Sequence, residues 1–434
     1  MNIRTKTTII FGALITLCLV IILPLGFTLS SASPKKHKWV NGWHAASQRP
    51  LNKGLSHKGF RNQTIRMVIY PHINGNKIRL TVSNTFGTEP VTFSQVSVAR
   101  SSKGANILPG SSHNVTFNGK RQMTLMKGKT IASDPIPISV ESHAPLTVSL
   151  YVKHSGPVTW HRFSMQDTYI SLGNHTSDLI GTPFNKKINA WVWLNSLDVY
   201  TGSSVKGTIA VVGDSIANGS HSSMNSNHRW PDLLAKRLNG NSPMHWSIVN
   251  SGIPSNRLLS ETIGTGERLS KRLDRDAFDL TDIKAIILHE GINDLRRYPN
   301  THAEDIISEM KTIIARTHQH GLKIYVATLA PYKGSRLYTE RGEKTREAIN
   351  HWIRTSNELD GVIDFDKTLR DPIDPKRMRS DYHSGDHIHP NDKGYQAMAD
   401  SIDLSLFDSM NMKKERQSKY YILQHFSKLF YYSL

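Results

Sequence analysis

The feature that most constrains this chain is the rhythm of its second half, where short apolar runs at 208–212, 247–250, 285–289, 323–329 and 362–365 alternate with segments of helical spacing. A brief uninterrupted apolar run rich in β-branched residues predicts a strand buried on both faces. Between two such runs, Ile306, Ile307, Met310, Ile313 and Ile314 fall on one helical face, and Gly321 stands where that helix should close. Strands alternating with helices predict a parallel sheet covered on both faces, with ligands bound beyond the carboxyl ends of the strands.

The first half reads differently. Segments 65–70, 78–82, 91–98, 146–152 and 190–194 have strand character and are separated by clusters of Gly, Pro, Asn and Ser. Asn74-Gly75 lies between the first two and predicts a hairpin there, because both residues tolerate positive φ. A β-sandwich over 39–204, followed by an α/β domain over 205–408, is the expected organisation. With 38% apolar and 21% charged residues in 434, the composition excludes a mainly disordered, fibrous or multi-span membrane chain.

The two ends carry signals of their own. Residues 9–29 form an apolar run behind Arg4 and Lys6, and Ser31-Ala32-Ser33-Pro34 follows, so 1–38 is expected to be a signal peptide or a membrane anchor. The single cysteine, Cys18, lies inside that run, which leaves no thiol for a disulfide or a Cys-based metal site in the rest of the chain. At the other end, 409–434 is a basic and aromatic tail that could lie on a membrane surface or pack on the domain. The net charge of +19 is unevenly spread, with 17 basic against 6 acidic residues in 39–204 but 27 against 28 in 205–408. The excess therefore points to an anionic partner for the β domain and the ends, not for the α/β domain. No nucleic-acid-binding motif accompanies it.

Three segments just past strand ends carry chemistry. In Val212-Gly213-Asp214-Ser215-Ile216 the chain leaves a strand, turns at Gly213 and enters a helix, which can present the Ser215 hydroxyl and N–H at the sheet's edge. Ala217 occupies the second glycine position of a G-x-S-x-G elbow, which disfavours the ordinary α/β-hydrolase topology. In Glu290-Gly291-Ile292-Asn293-Asp294 the Asn293 amide could face a developing oxyanion, or cap the loop as an Asx turn. Asn250-Ser251-Gly252 offers the Gly252 N–H in the same way, or is plain turn chemistry. In Ser384-Gly385-Asp386-His387-Ile388-His389-Pro390-Asn391, Asp386 can fold back onto His389 within one turn and fix its tautomer. Asn391 suits a helix N-cap, and Asp381, His383, Asp386, His387 and His389 are also possible metal ligands. No helical H-E-x-x-H accompanies them.

Gly213-Asp214-Ser215, Gly252, Gly291-Ile292-Asn293-Asp294 and Asp386-His387-Ile388-His389-Pro390 occur in the order of the four blocks of the SGNH (GDSL) hydrolases, which this chain resembles. Trp39-Val40-Asn41-Gly42-Trp43, Ser83-Asn84-Thr85-Phe86-Gly87, Arg229-Trp230-Pro231-Asp232-Leu233-Leu234 and 360–366 extend the likeness to a bacterial secreted subgroup with an N-terminal β domain. Pro254-Ser255 departs from it, since that subgroup tends to have glycines there. The resemblance implies a three-layer αβα, flavodoxin-like hydrolase domain in which Ser215 is the nucleophile, His389 the base and Asp386 its orienter. It also implies an oxyanion hole formed by the N–H groups of Ser215 and Gly252 with the Asn293 side chain. The expected function is a serine esterase acting on short acyl or acetyl esters, some on carbohydrate, through an acyl-enzyme, with no cofactor and no resident metal. Other readings are a glycan-binding surface protein or adhesin on a hydrolase scaffold, and a metal-dependent phosphoesterase. Expected partners are a small-molecule or glycan ester and an anionic cell-wall polymer or membrane surface. The expected location is extracellular, secreted or anchored by the N-terminal segment.

Overall fold

The computed structural model describes residues 37–240 and 245–411. The expected export segment with Cys18, and the basic aromatic stretch 412–434, lie outside them. Among the described residues no helix is long and apolar enough to cross a membrane.

The first half is built from antiparallel strands. One sheet runs Lys38–His44, Leu194–Thr201, Lys77–Ser83, Thr130–Ala132, and a larger one centres on Arg61–Ile69, Leu146–His154 and Val91–Arg100. Along Lys77–Ser83 the buried positions Ile78, Leu80 and Val82 alternate with more exposed ones, as the pleat requires. They join Val40, Leu197, Ile65, Met67, Val98 and Val148 in one apolar cluster fed by both sheets.

The hairpin expected at Asn74-Gly75 is not formed. Arg61–Ile69 pairs with Leu146–His154 and Thr168–Leu172, whereas Lys77–Ser83 pairs with strands of the other sheet. The connection crosses between sheets, so neither residue takes a positive φ. Glycine is needed at 75 for a different reason: a Cβ there would lie 2.2 Å from Val199 Cγ1 and 2.6 Å from the Tyr200 carbonyl.

The second half holds a parallel sheet of β1 (Val205–Gly213), β2 (His245–Gly252), β3 (Ile283–His289), β4 (Lys323–Ala327) and β5 (Gly361–Ile363), in the order 2-1-3-4-5. That order is the flavodoxin-like one, with its reversal beside β1. Alternate residues of each apolar run enter opposite cores. Ile209, Val211, Ala285 and Ile287 face a cluster with Trp230, Leu234 and Tyr395, while Ala210, Val212, Ile286 and Leu288 face one with Met310, Ile313 and Ile349. The helices involved are α1 (Ser215–Asn218), α2 (Trp230–Gly240), α3 (Ile292–Arg297), α4 (Ala303–Gln319), α5 (Glu340–Thr355) and α6 (Asp392–Ser401). In α4, Ile306, Met310, Ile313 and Ile314 are buried, as the spacing predicts. Gly321, at φ +69, ends it with bonds from Leu322 N–H to Thr317 O and from Gly321 N–H to His318 O, a Schellman closure.

The halves are tied together polarly. Asn41 N–H donates to Thr281 O at 3.1 Å, and Ala45 bridges Asn250 at the outer edge of β2. Buried His72 reaches the Ile248 carbonyl with Nδ1 and Asp232 with Nε2 at 2.8 Å, and Arg229 holds the other Asp232 oxygen at 2.6 Å. Stripping one partner from a buried charged pair typically costs about 3–5 kcal/mol. A fragment of 205–411 is therefore expected to be insoluble or molten, and 37–411 to melt in one calorimetric transition. Two well-separated transitions would show that the halves are independent.

Candidate active site

The turn after β1 is forced by close packing. A Cβ on Gly213 would lie 2.2 Å from the His289 carbonyl, so the chain can pass β3 only as glycine. Fully buried Arg272 holds the ends of two strands, donating to Gly213 O at 3.0 Å and Ser251 O at 2.8 Å. Asp214 then caps α1 by accepting the Ile216 N–H at 2.8 Å, an interaction worth about 1 kcal/mol. Ser215 is the first helical residue, and its N–H has no carbonyl four residues back within the helix. Its Oγ lies 2.8 Å from His389 Nε2.

The loop before α6 supplies the other two groups. Asp386 Oδ1 accepts the N–H of Ile388 at 3.0 Å and of His389 at 2.9 Å, while Oδ2 lies 2.5 Å from His389 Nδ1. Burial pushes the Asp386 carboxyl up, but the hydrogen bonds from the His389 ring and the two N–H groups outweigh it and hold it well below the usual carboxylate range. Asn391 caps α6 through Gly394 N–H at 3.0 Å, so the loop positions the histidine and starts a helix at once.

The three oxyanion candidates are placed less uniformly. Asn293 is buried in the first turn of α3, with its Nδ2 donating to Asn256 O at 3.1 Å and, more weakly, toward Asp214 Oδ2 at 3.4 Å. The Gly252 N–H donates to Asn250 Oδ1 at 2.9 Å. A Cβ at Gly252 would sit 2.4 Å from Asn218 N, so this glycine is required for α1 to approach β2. Ser255, where the resembled subgroup has glycine, adopts φ +65, a conformation uncommon outside glycine.

Residues not singled out from the sequence complete the surroundings. Burial pushes Asp214 and Asp294 up to about 6, and raises Glu290 well above the usual range with both of those carboxyls nearby. Asp294 accepts the N–H groups of Leu258 and Leu259, fixing the loop after β2. Asn218, one turn after Ser215, accepts through Oδ1 from Nε2 of buried His161 of the β half at 2.8 Å, and donates through Nδ2 to Phe163 O. His221 stacks on His389 with ring centroids 4.7 Å apart and planes 7° from parallel.

Among the described residues, His221, Asp386 and His389 are the group whose ligand atoms lie close enough to share a metal ion, within 4.8 Å of one another. Parallel rings aim their in-plane lone pairs side by side, not at one point, so this set is not arranged to coordinate in the form seen here. Asp381 is instead bound by Arg379 and Lys393, and His383 packs against His387.

Similar solved structures include a GDSL-like lipase from Bacteroides thetaiotaomicron VPI-5482, at 14% identity over 46% of this chain and 88% of that one, with TM-score 0.36. The native aryl esterase of M. smegmatis gives 14% identity, 45% and 95% coverage and TM-score 0.37. A carbohydrate acetylesterase family member from Sinorhizobium meliloti gives 17% identity, 47% and 98% coverage and TM-score 0.36. None of the curated proteins matches the chain. Residues 211–397, from within β1 to within α6, match the model of the GDSL-like lipase/acylhydrolase family, so this segment is a GDSL-like, SGNH-type ester hydrolase domain.

Proposed function

We propose that the chain is a serine esterase in which Ser215, His389 and Asp386 act as a catalytic triad. The observation that carries this reading is the continuous relay of Ser215 Oγ, His389 Nε2, His389 Nδ1 and Asp386 Oδ2, with steps of 2.8 and 2.5 Å across the side-chain pairs. Asp386 fixes the tautomer with the proton on Nδ1, which leaves the Nε2 lone pair to take the Ser215 proton. Ser215 Oγ bonds to the ester carbonyl carbon, and the carbonyl electrons move onto oxygen. His389 then protonates the departing alkoxide as the C–O bond breaks, leaving an acyl-serine. Water repeats the sequence, its proton passing to Nε2 and then to Ser215 as the carboxylate product leaves.

The oxyanion would be held by the Ser215 N–H, by the Asn293 side-chain Nδ2, which donates to Asn256 O and more weakly toward Asp214, and by the Gly252 N–H once it exchanges its bond to Asn250. Acetyl or other short acyl esters, some on carbohydrate, remain the substrate proposed; the Sinorhizobium relative is named a carbohydrate acetylesterase family member. We read the antiparallel half, 39–204, as a β-sandwich accessory domain to the hydrolase domain 205–408. Its 17 basic residues against 6 acidic ones suit attachment to an anionic cell-wall polymer or membrane surface, on a protein exported by its first 38 residues.

The deciding test is a fluorophosphonate probe on the purified chain with p-nitrophenyl acetate turnover followed in parallel. Stoichiometric labelling of Ser215 with loss of activity, and indifference to chelator, are expected. A glycan-binding scaffold would not react with the probe, and a metal-dependent phosphoesterase would lose activity to the chelator while ignoring the probe.

A further inference from the structure

His221 stands outside the triad but is held against it. Its turn is pinned from both sides: Ser220 N–H donates to Ser215 O at 2.9 Å, Tyr395 Oη donates to Ser220 O at 2.7 Å, and Ser223 N–H donates to Asp392 at 2.8 Å. Within it His221 takes φ +70, a conformation that a non-glycine residue keeps only when its surroundings impose it. The result is a ring parallel to His389 at 4.7 Å, with Nε2 3.8 Å from the same Asp386 oxygen that the His389 Nδ1–H uses. A half-exposed histidine has no packing reason to be fixed there.

We propose that His221 is a positioning residue for the base: when neutral it stacks on His389 and holds that ring in line with Ser215, and when protonated it competes for Asp386 and opposes the positive charge His389 must acquire. The inference rests on the triad proposed above. The groups that face His221 are His389, which disfavours its protonation, and Asp386, which favours it. Arg296 acts on Asp386 from α3, and across the turn Asp392 is already paired with His228 at 2.8 Å. Burial, and then His389, lower the proton affinity of His221, so this ring takes its proton below the ordinary histidine range. Activity is therefore full while both rings are neutral and falls as pH drops. In the wild type the fall approaches a two-proton dependence, whereas a lone base gives one.

The experiment is the pH dependence of kcat/KM for phenyl acetate hydrolysis, followed by pH-stat from about pH 4.5 to 8.5, with the full chain and its His221→Phe and His221→Ala variants. His221→Phe keeps a stacking ring that cannot titrate, so its acid limb should reduce to one proton. His221→Ala loses the stack, and its alkaline kcat should fall on the order of tenfold with little change in KM, an amount within reach of a misplaced catalytic group. The phenylalanine variant should recover most of that loss. An acid limb in His221→Phe that still matches the wild type, or an alanine variant identical to the wild type in kcat and profile, would overturn the inference. Failure of the triad itself would be seen separately, as turnover that survives Ser215→Ala.

Discussion

Ser215→Ala is expected to lower kcat for acetate esters by about 10⁴–10⁶ and to abolish fluorophosphonate labelling, while the protein still folds. The substitution removes one oxygen from a buried side chain whose only side-chain hydrogen bond among the described residues is to His389, 2.8 Å away. Nothing in the turn depends on that oxygen: Asp214 still caps α1 through Ile216, Arg272 still holds Gly213, and the N–H of residue 215 stays where it is. The melting temperature should therefore move little, which separates a chemical loss from an unfolded one. Residual hydrolysis above the uncatalysed rate is expected, because oxyanion donors and substrate binding persist without the nucleophile. Turnover near the wild-type rate in the alanine variant would remove Ser215 from the mechanism, whatever its geometry.

The parallel sheet was legible because its strands are buried on both faces, so the whole run must be apolar and no register ambiguity arises. Ile209 to Val212 contribute to two cores in strict alternation, which only a strand between two helical layers can do. The ends of the runs were less legible, since apolar residues continue past the point where pairing stops. The segment 323–329 was expected as strand, but pairing ends at Ala327, and Thr328 turns its hydroxyl to Asp364 and accepts the Asp366 N–H. Asp364 in turn caps Phe365–Leu369, so the expected strand at 362–365 stops at Ile363 and a helix begins. In the antiparallel half, strand character was evident from composition, but partnership was not. Which of two sheets a strand joins depends on contacts as distant as Tyr200 with Gly75, and Asn-Gly chemistry at a sheet crossing looks the same as in a hairpin.

The candidate site divides in a similar way. Asp386 and His389 are three residues apart, so local geometry alone could bring them together, and Ser215 and Asn293 each follow a strand that the apolar pattern identifies. His221 had no such signal. It is a histidine in a polar turn, and its position over His389 depends on two loops separated by 168 residues of sequence. The buried carboxyls of Glu290 and Asp294 were visible as residues but not as environment, because burial at a strand end is a property of what packs on it. His289 illustrates the opposite risk, a histidine beside the site whose ring lies in the core against Trp230 and Phe365 and is pushed down to about 3 by burial.

Asp386→Asn is expected to lower kcat by about 10⁴ with the fold intact, which makes it the sharpest test of how the base is set. Three of the four bonds to the carboxylate survive the change if the new amide keeps its oxygen at the Oδ1 position, toward the Ser384 hydroxyl and the N–H groups of Ile388 and His389. The NH₂ group then occupies the Oδ2 position, 2.5 Å from His389 Nδ1, where donor would meet donor. The imidazole escapes that clash by moving its proton to Nε2, and Nε2–H can no longer accept the Ser215 proton. The opposite amide rotamer keeps the tautomer but sets the NH₂ against two backbone N–H groups, which costs more than it recovers because both bonds are lost together. Imidazolium formation in the transition state also loses its neighbouring negative charge. In the proposed mechanism this carboxyl touches His389 and not the substrate, so KM should change far less than kcat. The measurement is steady-state kinetics beside a thermal melt: a kcat within about tenfold of the wild type would mean that Asp386 is not the group that orients His389.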